Sequence, residues 1–135
     1  RDLVRSRGLG DVYKRQIIDF ESILAGADLV LTGEGRIDPQ SMRGKTVIGV
    51  ARRASKCGVP TIAVVGDIAD GIESAYDLGV SAIFSINRVA MERKLIKLRA
   101  KSDMEATVEN IIRAVKAVNV AARARWQTAR VPCQI

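Results

Sequence analysis

Apolar residues along this chain alternate between short continuous runs and stripes with helical spacing. The continuous runs mark strands at residues 28–32, 61–65 and 82–86. Runs of this length, bounded by glycine or polar residues, indicate strands buried in a parallel sheet. Between them, apolar positions recur every three or four residues across 17–27, 47–56 and 70–78, which indicates amphipathic helices. Alternating strands and helices with short links are typical of right-handed βαβ units, so the pattern predicts an α/β fold, a parallel sheet with flanking helices.

Local signals predict where the helices begin and end. The helix after the first strand is expected to stop before Gly58, and Pro60 marks the break. Asp70 is expected to cap the next helix, which Gly79 ends. Residues Ser102–Glu105 fit a capping box, which predicts that the long final helix begins there and packs its apolar stripe on the sheet.

Three segments lie outside this regular pattern. Residues 1–16 show no period and are interpreted as a sequence-assembly artefact or a disordered lead-in, and residues 123–135 as a fraying tail. Residues 87–101 carry six Lys/Arg and one acidic residue, which favours a solvated surface segment with a short amphipathic helix. The folded part is therefore expected to span 17–122. Three parallel strands leave sheet edges that such folds normally extend, so the sequence predicts a fragment of a larger domain.

The composition is that of a soluble globular protein, with 47% hydrophobic and 27% charged residues. The chain has no long apolar segment and its first residues are charged, so neither a membrane span nor a signal peptide is predicted. Its two cysteines, Cys57 and Cys133, form neither a disulfide framework nor a metal-ligand cluster. These features predict a cytoplasmic protein.

The net charge of +7 is concentrated at the two ends of the chain. Residues 1–16 carry five Lys/Arg and two acids, and residues 123–135 carry three Arg and no acid, whereas residues 17–122 are nearly neutral. Basic ends without a basic folded face, in a chain with few aromatic residues, argue against nucleic-acid binding. A nucleic-acid binder that depends on the two ends stays an alternative.

Polar side chains concentrate directly after the first predicted strand. They are Glu34, Arg36, Asp38, Gln40 and Lys45. Ligands of open α/β sheets bind just beyond the carboxyl ends of the strands, so this stretch is the predicted functional centre. It fits neither common phosphate-binding loop. A P-loop ending at Gly44-Lys45 needs a glycine where Pro39 stands, and a dinucleotide fingerprint starting at Gly33 needs one at Asp38.

The residue types point to an anionic ligand. Gly33 and Gly35 are expected to let the backbone turn and bring its amides close to the ligand. Glu34 would repel a bare phosphate, and a divalent cation such as Mg²⁺, held by carboxylates and substrate phosphates, would resolve that conflict. Arg36 and Lys45 suit carboxylate or phosphoryl oxygens.

A purely structural alternative explains the same residues. In it, Glu34–Arg36 and Asp38–Lys45 are ion pairs that brace a loop, and Asp38 caps a turn begun by Pro39. The chain contains no histidine, so an acid–base step would depend on Asp, Glu, Lys or water.

The run Ala27-Asp-Leu-Val-Leu-Thr-Gly-Glu-Gly-Arg-Ile-Asp38, followed by Gln40-Ser41 and Gly44-Lys45, closely resembles the signature of bacterial type I glycerate kinases. The resemblance covers residues 17–86 most closely. It implies ATP-dependent phosphorylation of D-glycerate, commonly to 2-phosphoglycerate, with Mg²⁺. It also implies two α/β domains, of which the flavodoxin-like one is built from both chain ends. This chain is then a partial flavodoxin-like domain from the C-terminal part of such a kinase, and we expect it to be inactive alone.

Residue by residue, the resemblance implies a set of active-site contributors. Glu34, Asp38 and Lys45 are the expected catalytic residues, with Glu34 and Asp38 also near the metal. The expected substrate- or phosphate-binding residues are Thr32, Gly33, Gly35, Arg36 and Gln40. ATP and Mg²⁺ are the implied cofactors, and D-glycerate and ATP the implied partners. The alternative is a small α/β module that binds an anion or a nucleotide without catalysis.

Overall fold

The structure is a computed structural model that describes residues 19–44 and 46–128. Helices and strands alternate along the described chain. They are α1 (Phe20–Leu24), β1 (Val30–Ile37), a short 3₁₀ helix (Ser41–Arg43), α2 (Thr46–Lys56), β2 (Thr61–Ile68), α3 (Ser74–Asp77), β3 (Ala82–Ser85) and α4 (Arg93–Thr128). The strands form one sheet in the order β1-β2-β3. The predicted α/β class with a parallel sheet is confirmed.

The chain divides into two compact units between Ile83 and Phe84. The first unit holds a core between α2 and the strands. Its members are Ile37, Val47, Ile48, Ala51, Ala63, Val65, Ile72, Ala75 and Val80. On α2 the buried residues Val47, Ile48, Ala51 and Ala54 follow the predicted helical stripe. Burial of one such face stabilises a short helix, because an isolated helix of this length is marginal in water.

A second, smaller cluster joins α1 to α2. Leu24, Ala54 and Val59 are its buried members. Arg53 also reaches across to α1, where its Nε donates a hydrogen bond of 2.7 Å to Glu21 and its guanidinium lies 5.0 Å from the centre of the Phe20 ring. The hydrogen bond from Arg53 lowers the pKa of Glu21. The pair therefore stabilises the fold at pH values above the usual pKa of glutamate, and this contribution is lost as the pH falls through the lowered pKa.

The helix predicted after Asp70 is shorter than expected, and the prediction of its cap is wrong. Only one turn forms, with Glu73 at the N-cap position and no side-chain hydrogen bond to the helix. Gly71 has φ +75°, a left-handed conformation that an α-helix cannot include. The helix therefore begins after Gly71, while Ile72 still turns into the core.

The final helix, α4, starts at Arg93 and not at the predicted capping box. Ser102 lies within this helix and its hydroxyl donates to the carbonyl of Arg99 at 3.0 Å. Arg99 pairs with Asp103, also at 3.0 Å. Because the preceding residues are already helical, the amides near Ser102 have partners and need no cap. The short helix expected within 87–101 is thus the first part of α4, whose packing on the sheet stays a prediction. In the part of the chain that the structure describes, no helix has the length and apolar character to cross a membrane.

Thr61 carries a hydroxyl that works against the stability of the fold. Its side chain is 0% exposed, and its Oγ1 has no hydrogen-bond partner among the described residues. A buried polar group without a partner costs about 1–3 kcal/mol. Valine has nearly the same shape, and Thr61 lies in a strand, where both residues are favourable.

We therefore expect Thr61→Val to raise the free energy of unfolding by about 1 kcal/mol, measured by urea unfolding of the protein. Thr107 provides the control, because it is also buried but its hydroxyl donates to the carbonyl of Asp103 at 2.7 Å. Thr107→Val should lower stability instead. Equal effects of the two changes would contradict the assignment.

Candidate functional site

Strand β1 runs through the predicted functional loop. The expected end of this strand at Thr32 is wrong, because β1 stays paired with β2 from Val30, opposite Thr61, to Ile37, opposite Ile68. Ala69 extends the link by donating its N–H to the carbonyl of Ile37 at 3.0 Å. Glu34 and Arg36 therefore lie within a paired strand and not in a loop.

Glycine permits this pairing, which differs from the sharp turn that the sequence predicted. A Cβ at Gly33 would overlap the carbonyl oxygen of Val64 on β2, and a Cβ at Gly66 would overlap the carbonyl oxygen of Gly35. Such a close approach is possible only where the residue that faces the neighbouring carbonyl carries no side chain. At Gly35, by contrast, no atom of the described residues lies within 4 Å of a Cβ position, so a side chain would have room there.

Glu34 combines a half-buried side chain with one fully buried oxygen. Its Oε1 has no hydrogen-bond partner within the described residues. Arg36, two residues further along, is exposed. The two side chains form no ion pair with each other, so this part of the structural alternative is wrong. A buried carboxylate oxygen without a partner is costly in a folded protein, and such an atom is a candidate to meet a ligand.

Asp38 ends the strand and closes a tight turn. Its Oδ1 accepts the amide of Ser41 at 3.0 Å, and its own amide donates to Ser41 Oγ at 3.2 Å. Pro39 follows, and the 3₁₀ helix begins at Ser41. The predicted turn capped by Asp38 is confirmed. Gly44 ends that helix with φ +99°, and Lys45 lies outside the described residues, so its expected pairing with Asp38 stays a prediction.

The remaining predicted site residues lie along the same stretch. Thr32 is half-buried on β1, and Gln40 is exposed in the turn. The register also brings in a residue that the sequence prediction missed. Asp67 is the partner of Arg36 across the two strands and is half-buried. The sequence did contain a signal for Asp67. Like Gly33-Glu34, the pair Gly66-Asp67 follows an apolar run.

The loop after β2 lies beside the turn after β1. The position of a Cβ on Gly71 would be 3.6 Å from Cγ of Pro39. Both loops therefore lie at the edge of the sheet formed by the carboxyl ends of the parallel strands, where α/β proteins bind ligands.

The donor set of this edge suits a hard cation that is shared with a substrate. Carboxylate oxygens are the ligands Mg²⁺ prefers, and one or two of them with substrate phosphates are sufficient. Glu34 offers a buried oxygen that has no partner among the described side chains, and Asp38 directly follows the same strand. Across the described ranges, no group of three or more acidic or cysteine side chains forms a complete metal site on its own.

Comparison with known proteins identifies the relatives of this chain. The model of the glycerate kinase family matches residues 10–116, a range that begins inside the lead-in set aside above. The chain is 43% identical over 101 residues to a glycerate kinase of Bacillus subtilis, covering 75% of this chain and 26% of that protein. A glycerate kinase of Halalkalibacterium halodurans is 40% identical over 96 residues, with 71% and 25% covered.

A glycerate 2-kinase of Escherichia coli is 41% identical over 69 residues, which is 51% of this chain and 18% of that protein. The chain thus spans about a quarter or less of the length of these relatives. The family match itself extends over most of the described residues, including both strands of the candidate site. The chain belongs to the glycerate kinase family.

Proposed function

We propose that the full-length protein containing this chain transfers a phosphoryl group from ATP to D-glycerate, with 2-phosphoglycerate as the product. The observation that carries the proposal is the buried Oε1 of Glu34 on β1, which has no hydrogen-bond partner among the residues that the structure describes. It lies in a strand that ends at the ligand-binding edge of the sheet, in a chain of the glycerate kinase family. The relatives are a glycerate kinase and a glycerate 2-kinase, which supports glycerate as the substrate.

Phosphoryl transfer requires that the two substrates are held in position and that the negative charge of the phosphates is neutralised. A hydroxyl oxygen of glycerate forms a bond to the γ-phosphorus, the bond from that phosphorus to the bridging oxygen breaks, and ADP leaves. The exposed guanidinium of Arg36 suits the carboxylate of glycerate or a phosphoryl oxygen, because its planar fork matches both. Within this chain, which contains no histidine, Glu34 and Asp38 are the candidates to accept the hydroxyl proton.

ATP and Mg²⁺ complete the proposed site. Glu34 and Asp38 are the residues that would hold the cation, which supplies charge neutralisation for the phosphates when bound. The proposed contacts to substrate or phosphate are Thr32, Gly33, Gly35, Gln40 and Lys45. The cytoplasmic setting stays a prediction, as does the inactivity of this chain alone.

A hybrid kinase tests the proposal. Residues 10–116 of this chain, the range of the family match, replace the corresponding segment of the Bacillus subtilis enzyme. We expect ADP formation that requires D-glycerate, and ³¹P NMR of the product should show 2-phosphoglycerate rather than the 3-isomer. The unaltered Bacillus subtilis enzyme is the positive control.

One result would contradict the proposal, and another would contradict only the expected inactivity of this chain alone. A folded hybrid that binds ATP or glycerate without turnover would favour the non-catalytic binding module. Glycerate-dependent ATP consumption by the 135-residue chain alone would show that the rest of a full-length kinase is not needed.

A further inference from the structure

Ser41 is a fully buried polar residue in an otherwise exposed turn. Its exposed fraction is 0%, whereas its neighbours Pro39 and Gln40 are exposed. Buried hydroxyl groups in proteins are nearly always hydrogen-bonded. The partner of Ser41 is Asp38, a proposed site residue.

The two residues bond to each other in both directions. The amide of Asp38 donates to Ser41 Oγ at 3.2 Å, and the amide of Ser41 donates to Asp38 Oδ1 at 3.0 Å. Ser41 Oγ also lies 3.4 Å from the same Oδ1. The main chain adds a bond of 2.8 Å from the Ser41 amide to the Asp38 carbonyl. Together these contacts restrain both the backbone and the side-chain torsion of Asp38.

We infer that Ser41 is a positioning residue for Asp38 in the proposed phosphoryl transfer. The inference rests on the proposed function and adds a residue to it. Ser41 itself is buried and does not touch substrate. It orients the Asp38 carboxylate at the end of β1 before substrate arrives, since Oδ1 is the oxygen that the turn uses. Preorganisation of this kind matters because a displacement of about 1 Å at a reacting group can cost on the order of a hundredfold in rate.

The chain contains a matched control for Ser41. Ser81 Oγ accepts the amide of Thr61 at 3.1 Å, nearly the same bond as that from Asp38 to Ser41. Thr61 begins β2, whereas Asp38 follows the last residue of β1. Because the strands are parallel, the two bonds lie at opposite edges of the sheet. Removal of either hydroxyl should affect folding, but only one of them should affect chemistry.

Steady-state kinetics of the hybrid kinase separate the two roles. We expect Ser41→Ala to lower kcat by about tenfold or more, with KM values changed by less than about threefold. Ser81→Ala should lower the midpoint of thermal unfolding without lowering kcat. Asp38→Asn should lower kcat as well, and adding Ser41→Ala to it should cost less than about twofold more, because the two residues act as one unit.

Each other outcome overturns the inference. Equal losses of kcat in the Ser41 and Ser81 variants would make Ser41 purely structural. The same conclusion would follow if the fold losses of kcat from Asp38→Asn and Ser41→Ala multiplied in the double variant. Should Ser41→Ala fail to fold, Ser41→Cys preserves the shape with a weaker acceptor, and a folded, fully active cysteine variant contradicts positioning. Failure of both variants to fold would also make Ser41 structural. An inactive but folded parent hybrid would instead remove the proposed function, and this inference with it.

Discussion

Replacement of Gly33 by alanine is expected to break the pairing of β1 with β2, whereas the same change at Gly35 is tolerated. A Cβ on Gly33 would overlap the backbone carbonyl oxygen of Val64. That atom cannot move aside as a flexible side chain would, so relief requires the strands to separate. We expect a loss of about 3 kcal/mol in the free energy of unfolding.

Gly35 is a matched control only two residues away. Among the described residues, no neighbouring atom lies within 4 Å of its Cβ position, and its φ is not left-handed. Alanine there should leave stability unchanged or raise it by about 0.5 kcal/mol, since glycine in a strand loses more backbone freedom on folding. Gly66→Ala should behave like Gly33→Ala, because its Cβ would overlap the carbonyl oxygen of Gly35.

The measurement is soluble yield and thermal unfolding of the hybrid kinase with each of the three changes. A loss of folding at positions 33 and 66 but not at 35 would support the close approach of the strands. Equal stability of the Gly33 and Gly35 variants would show that the two backbones can separate at little cost.

Replacement of Glu34 by glutamine should cost activity without costing stability. Oε1 of Glu34 is buried and has no partner among the described residues, and a buried carboxyl group without a partner is more costly than a neutral amide of the same shape. Residues kept at such a cost are typical of functional sites. We expect kcat of the hybrid kinase to fall by about 10²–10³-fold, while the midpoint of thermal unfolding stays the same or rises.

The dependence on Mg²⁺ gives a second readout for Glu34. If this carboxylate contacts the cation, the glutamine variant should need more Mg²⁺ for half of its maximal rate. The control is Glu73→Gln, an exposed glutamate of the same unit, which should change neither rate nor stability. A Glu34 variant with full activity, or one whose activity falls only in step with its stability, would contradict the assignment.

The parts of the fold that depend on local signals were predicted well. Helix α2 ends at Lys56, two residues before Gly58, and β2 begins at Thr61, directly after Pro60. Glycine and proline act through their own backbone torsions, so their effect can be predicted without knowledge of the neighbours. The turn at Asp38 was also predicted, as the structural alternative, because its hydrogen bonds join residues three apart.

The wrong predictions concern features that depend on contacts between distant segments. Gly33 has the local appearance of a turn, and only the carbonyl of Val64 on β2 shows that it belongs to a strand. Ser102 matches a helix cap locally, yet a helix that begins at Arg93 already supplies partners for the nearby amides. The ion pair expected between Glu34 and Arg36 is absent because Glu34 turns one oxygen into the protein while Arg36 stays exposed.

By itself, the sequence determined the order of strands and helices, the α/β class and the stretch around Glu34 and Asp38 where chemistry is expected. These follow from hydrophobic periodicity and from residue types, which are properties of neighbouring residues along the chain. Only the tertiary structure decided that β1 continues to Ile37 and that Ser41 holds Asp38 from a buried position. It also decided that Oε1 of Glu34 is buried with no partner in the described part of the chain. Burial and strand pairing depend on which distant segments pack together, and that is a property of the folded chain as a whole.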